Sequence, residues 1–168
     1  PNVSENPYLE NQLKQLEMQF FATKERLQNK FGVNKFIVYF QSFTNTYAPF
    51  STLKALYEKA LSFDDVIGLS IGTRTDCVTE EILDYLASLS KEKEIWVEYG
   101  IQSFYDETLE AINRGDSVEN MNYWIKQTKK RDLNVCGHLI YGLPGETQEM
   151  MLDTFEKTCE LKVDSIKF

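Results

Sequence analysis

What most constrains this chain is the order of its hydrophobic periods. Apolar residues at helical spacing alternate with short apolar runs of strand type. A helix comes first, then strand and helix four times over, then a last strand. The leading helix carries Leu9, Leu13, Leu16, Phe20, Leu27 and Phe31. Asn6 reads as its N-cap, Pro7 as its first residue and Gly32 as its stop. Strands are expected at 36–41, 66–72, 95–100, 133–141 and 163–168. Leu53, Leu56, Tyr57, Ala60 and Leu61 form the stripe of the second helix, and Val78, Ile82, Leu83, Leu86 and Leu89 that of the third. A short helix near 106–113 stops at Gly115. Asp116 with Glu119 then reads as a capping box for a helix turning Met121, Trp124 and Ile125 inward, and a final helix runs over 146–161.

Strands joined by helices pair in parallel through right-handed crossovers. The strand–helix period of roughly 30–40 residues is that of βαβ units. A closed eight-unit barrel needs about 250 residues. The 168 residues here therefore form one α/β domain, either an open sheet or an incomplete parallel (β/α) barrel. Residues 1–34 are its leading helix and 35–168 its successive βα units. Ending on a strand with no covering helix reads as a truncated domain.

Alternation within the strands gives each a second, polar or small face. Tyr39 and Gln41 oppose Phe36, Val38 and Phe40; Ser70 stands among Gly68 and Gly72; Glu98 stands between Trp96 and Gly100; His138 follows Cys136. A solid barrel would be filled by Val, Ile and Leu. Gln41, Ser70, Glu98 and His138 instead line a cavity, where a polar ligand, water or one another must satisfy them. Ligands of such folds sit at the C-terminal strand ends, where Thr44, Asn45, Arg74, Asp76, Gln102 and Ser103 collect. The fourth strand runs into HLIYGLPGET, where Gly142, Pro144 and Gly145 make a tight turn before the last helix. Such a turn lets backbone approach a ligand closely.

The net charge of −8 excludes a broad nucleic-acid or anionic-membrane surface. The basic run Lys126, Lys129, Lys130 and Arg131 is a solvated helix end. Cys77, Cys136 and Cys159 form neither a C-x-x-C pair nor a zinc-type set, and an odd count without a framework suits a reducing compartment. With no signal peptide and no long apolar span, the chain is expected in the cytoplasm, away from membranes.

Four segments in order, YFQSFTNTYAP, GLSIGTRTDC, VEYGIQS with the later INRG, and HLIYGLPGET, resemble the core of radical S-adenosylmethionine proteins. The similarity is to the bacterial Fe–S oxidoreductase branch related to the radical domain of the Elongator catalytic subunit. Oxygen-independent coproporphyrinogen oxidases carry a related IYGLP turn. The resemblance covers about Lys35 to the C-terminus and implies a TIM-like partial barrel. It further implies a [4Fe–4S] cluster and S-adenosylmethionine in the intact protein, which together yield a 5′-deoxyadenosyl radical.

The same resemblance places cofactor contacts at Ile140, Gly142, Leu143 and Pro144, at Glu98 and Gln102, and at Thr44 and Asn45. Many relatives carry Gly-Gly-Glu where this chain has TNTY, and His138 replaces a family glycine. Arg74, Asp76 and His138 are candidates for substrate or for the cofactor carboxylate; Arg74 and Asp76 could equally pair with each other. The family's clustered cysteine triplet is missing, so no metal ligand is assigned within these residues. The chain reads as a fragment starting after the cluster loop, inactive by itself. The substrate is unknown, with a tRNA base the reasonable guess, bound through residues not present here. Two alternatives stand beside this reading. One is an α/β-barrel enzyme taking a phosphorylated metabolite at the 142–147 turn, the other a non-catalytic binding module.

Overall fold

The computed structural model describes residues 7–168, so the Asn6 cap lies outside the described residues. Helix α1 (Pro7–Phe31) is followed by β1 (Phe36–Phe40), α2 (Phe50–Leu61), β2 (Val66–Thr73), α3 (Glu80–Leu89) and β3 (Glu94–Gln102). Then come α4 (Asp106–Ala111), α5 (Val118–Lys129), β4 (Asn134–Leu139), α6 (Gln148–Glu160) and β5 (Ser165–Lys167). A 3₁₀ turn at Thr75–Cys77 separates β2 from α3. The five strands form one sheet in the order β1-β2-β3-β4-β5, and every pair is parallel. This is the α/β partial barrel that the alternation and the resemblance imply.

Helices cover one face of the sheet. There Leu69, Ile71, Val97, Tyr99, Ile101, Val135 and Leu139 meet Leu53, Tyr57 and Ala60 of α2, Leu83 and Leu86 of α3, and Met121 and Ile125 of α5. Each of these strand residues is nearly or fully buried. At about 25 cal/mol per Å² of apolar surface this layer is the main stabilising term. The last helix packs differently, burying Thr154 and Thr158. It comes close to β4 at Gly137, where a Cβ would lie 3.2 Å from the Thr158 methyl.

Local signals explain several helix ends. Thr79 and Thr147 cap α3 and α6 by accepting from Ile82 N–H and Met150 N–H. Gly32, at φ 67°, ends α1 with its N–H on Gln28 O. The expected capping box is displaced by one residue. Ser117, not Asp116, caps α5, accepting from Asn120 N–H. Asp116 is freed to accept from Ser117 N–H and the Asn120 amide, and from the Thr75 hydroxyl. Several expected bounds shift too. The last strand is only Ser165–Lys167, β4 stops at Leu139, and β3 runs on to Gln102. Phe31, expected on the buried stripe of α1, is exposed.

Candidate functional site

The face without helices carries a polar network centred on Glu98 of β3. Register aligns Gly72, Glu98 and Cys136 across β2, β3 and β4, and His138 with Lys167 across β4 and β5. The Glu98 carboxylate therefore meets donors from every other strand. It accepts from Tyr39 Oη of β1 at 2.8 Å and from the Ser70 hydroxyl of β2. It also contacts His138 Nε2 of β4 at 2.7 Å and accepts from Lys167 Nζ of β5 at 2.6 Å. Glu98 is only 6% exposed. Burial would raise its carboxyl, but the bonds from Lys167, Ser70, Tyr39 and His138 outweigh that and hold it at about 2. The Lys167 ammonium also lies over the Tyr39 ring, 4.7 Å from its centroid.

One layer further along β3 the character changes. Gln102 has φ 69° and sits beyond a register shift in the β3–β4 pairing. A left-handed non-glycine residue costs about 1–2 kcal/mol, and such strain collects at ligand sites. The strained backbone is held by Ile140 N–H donating to Gln102 O at 3.1 Å. The next residue, Ser103, donates to Glu146 Oε1 at 2.5 Å, tying the strand end to the Gly-Pro-Gly turn. Arg114, from the connection between α4 and α5, donates to Gly100 O at 2.6 Å. A Cβ on Gly100 would lie 2.8 Å from both Arg114 Nη2 and Gln102 Nε2, so the two side chains converge over a glycine floor. Burial pushes the Arg114 guanidinium below its usual value, and the Arg74 charge adds to this. Three buried polar atoms at this rim have no partner: Gln102 Oε1, Arg114 Nε and Glu146 Oε2. Unpaired buried polar atoms are costly, and a polar ligand is one way to satisfy them.

The other expected site residues fall into separate groups. Asn45 clamps the ends of β1 and β2, donating to Phe40 O at 2.9 Å and Gly72 O at 3.0 Å. Thr44 O accepts from Tyr47 N–H in the same loop. Arg74 and Asp76 pair through two bonds of 2.7 and 2.5 Å, the mutual pairing that stood as the alternative to ligand binding. Gly142, Leu143 and Pro144 form the turn beside Ile140; Gly142, at φ 79°, places its N–H on Met151 Sδ. Ser70 and His138 satisfy Glu98 directly, the mutual pairing that stood beside a polar ligand among the expected ways to satisfy them, whereas Gln41 is exposed past the end of β1. Sequence reasoning missed Lys167, Arg114 and Glu146 as site residues. Arg114 lies in the INRG segment that carries part of the family resemblance.

The three cysteines do not assemble. Cys77 follows β2, Cys136 lies in β4 and Cys159 in α6, all free. No helix among the described residues is long and apolar enough to cross a membrane.

Fold and rim together define a parallel α/β protein of partial-barrel type, with a polar inner face and an unsatisfied polar rim. The family model of the Radical SAM superfamily matches residues 16–158, and the chain belongs to that superfamily. It is 39% identical over 157 residues to the Bacillus subtilis (strain 168) protein YtqA, covering 94% of this chain and 49% of that protein. It is 34% identical over 91 residues to the tRNA uridine(34) acetyltransferase of Methanocaldococcus infernus, covering 54% of this chain and 16% of that protein. Among solved structures it resembles the archaeal Methanocaldococcus infernus Elp3 with an N-terminal deletion. The TM-score is 0.70 at 24% identity, over 84% of this chain and 38% of that one. The chain thus spans about half the length, or less, of the relatives it matches.

Proposed function

We propose that this chain is the S-adenosylmethionine-binding part of a cytoplasmic radical iron–sulfur oxidoreductase whose substrate is a tRNA base. The observation that carries the reading is the unsatisfied rim, where Gln102 and Arg114 converge over Gly100 with one buried atom each lacking a partner. A guanidinium fork matches a carboxylate, and an amide both donates and accepts. That donor set fits the amino-acid end of S-adenosylmethionine. Ile140 and the turn through Gly142, Leu143 and Pro144 adjoin Gln102 through the Ile140–Gln102 bond, and they offer backbone groups and an apolar wall to an adenine. Glu146, whose Oε2 is buried without a partner, would accept from the cofactor ammonium.

When bound, the cluster and S-adenosylmethionine supply reductive cleavage and a radical that abstracts hydrogen. The cysteines of this chain do not fit as cluster ligands, because they stand on three separate elements. In this reading those ligands belong to other residues of the intact protein. The residues here bind the cofactor, orient it and line the space beneath it. The tRNA base is proposed on the tRNA uridine(34) acetyltransferase relative. The phosphate alternative loses ground at the turn itself, because residues 142–147 supply the Glu146 carboxylate and no Lys or Arg.

The test uses the complete protein, reconstituted anaerobically with iron and sulfide. With dithionite it should convert S-adenosylmethionine to 5′-deoxyadenosine. Arg114→Gln should raise KM for S-adenosylmethionine by about tenfold or more, the cost of losing a charged hydrogen-bond partner. Failure of the reconstituted protein to retain S-adenosylmethionine in equilibrium dialysis would sink the proposal.

A further inference from the structure

Below the rim, Glu98, Cys136 and His138 bring a carboxylate oxygen, a thiol sulfur and an imidazole nitrogen within 4.8 Å of one another. They come from two adjacent strands, with Glu98 directly opposite Cys136 and His138 two residues further on. We propose that these three side chains form a mononuclear site for a divalent transition cation such as Zn(II), distinct from any iron–sulfur cluster. No metal ligand is expected here from the sequence, because a Cys–Glu–His set on two strands has no linear spacing signature.

The structure already places a cation at this position. Glu98 Oε2 takes three donors, from Tyr39, His138 and Lys167, and the Lys167 ammonium approaches to 2.6 Å. The Lys167 side chain is 47% exposed, so it can swing away. His138 is also partly exposed and can turn its ring. Glu98 and Cys136 are buried and fixed in the sheet. A tetrahedral site with ligands near 2.1–2.3 Å needs donor atoms about 3.4–3.8 Å apart. Glu98 Oε2 and His138 Nε2, now 2.7 Å apart, have to open to that spacing, and the thiol sulfur already lies within 4.8 Å of the other two donors. Ser70 stays on Glu98 Oε1 and orients the carboxylate from behind. Sulfur, nitrogen and one carboxylate oxygen favour a borderline cation such as Zn(II) or Fe(II) over Mg(II) or Ca(II). Binding releases the thiol proton of Cys136 to solvent, the His138 ring carries its proton on Nδ1 so that Nε2 is free to ligate, and the cation replaces the Lys167 ammonium.

The experiment uses the complete protein with its cluster reconstituted, so that cluster cysteines are occupied. It is titrated anaerobically with Zn(II) against a chromophoric chelator. One equivalent of zinc per chain should bind beyond the cluster. Its zinc K-edge spectrum should show a single sulfur at about 2.3 Å with nitrogen and oxygen at about 2.0–2.2 Å. Cys136→Ser and His138→Ala should each weaken zinc by more than about tenfold, since even supporting residues cost that much. Lys167→Met should tighten it by roughly tenfold, by removing a competing charge. That gain cannot arise from misfolding. No zinc beyond the cluster, equal zinc in all variants, or weaker binding in Lys167→Met would each overturn the site. Arg114 and Gln102 are not ligands, so loss of S-adenosylmethionine binding and loss of zinc are separable results.

Discussion

The inner face holds two polar regions that differ in a simple way. Around Glu98 both carboxylate oxygens are partnered, and the donors come from all four other strands. Further along the same strand, Gln102 and the Arg114 side chain that converges on it over Gly100 leave buried polar atoms unpaired beside a left-handed backbone. The first region is complete without a ligand and ties the sheet together. The second is incomplete and pays for itself only when something binds. Stability and cofactor affinity should therefore respond to different residues of one strand.

The largest effect expected is on folding. Glu98→Ala leaves Lys167, His138, Ser70 and Tyr39 without their common acceptor. Removing one side of a buried ionic network costs about 3–5 kcal/mol, so urea denaturation should show a loss of that order. A loss under about 1 kcal/mol would mean that the network is ornamental and that the two regions do not differ as described. The same carboxylate gives a pH signature of the second rank. Its pKa is about 2 in the folded chain against an ordinary 4.5. A depressed folded pKa stabilises above the unfolded value and loses that contribution as pH falls. The denaturation midpoint should drop between about pH 4.5 and 2, and Glu98→Gln should flatten that part of the profile.

How far this was legible differs between the regions too. The parallel order, the helix-covered face and the polar face through Ser70, Glu98 and His138 follow from period-2 and period-3.6 patterns. Lys167 was invisible because its strand is three residues long, too short for alternation to fix a register. Arg114 was hidden for another reason. It lies in a connection after α4, and only the tertiary fold brings it back over Gly100. The capping box failed by one residue because Asp116 and Ser117 are both good caps, and Thr75 claims the aspartate. Arg74 and Asp76 are two apart, and that spacing alone could not say whether they pair or reach a ligand.

At the rim the expected effect moves from stability to binding. Arg114→Gln removes the bond to Gly100 O, a net loss of about 1 kcal/mol, while weakening S-adenosylmethionine by about tenfold or more. The decisive readout is the ratio of the two, measured by denaturation and by equilibrium dialysis on the same variant. An unchanged affinity for S-adenosylmethionine beside the stability loss would make Arg114 a structural arginine and move it to the first region.

The smallest change is the sharpest comparison. Gly68 and Gly100 are both strand glycines, yet a methyl group meets different things at each. At Gly68 a Cβ would fall 2.0 Å from Glu94 O, a backbone atom of the neighbouring strand that cannot yield. At Gly100 it would meet only the ends of Arg114 and Gln102, both at 2.8 Å and both on flexible side chains. Overpacking against backbone costs about 1–3 kcal/mol or more, so Gly68→Ala should unfold earlier in urea. Gly100→Ala should change the midpoint by less than about 1 kcal/mol, because the two side chains rotate aside. What it should lose is the converging geometry, and with it several-fold in S-adenosylmethionine affinity. If Gly100→Ala binds the cofactor as well as the parent, the glycine floor is not where the ligand sits. The unpaired atoms of Gln102 and Arg114 would then have to be met by water.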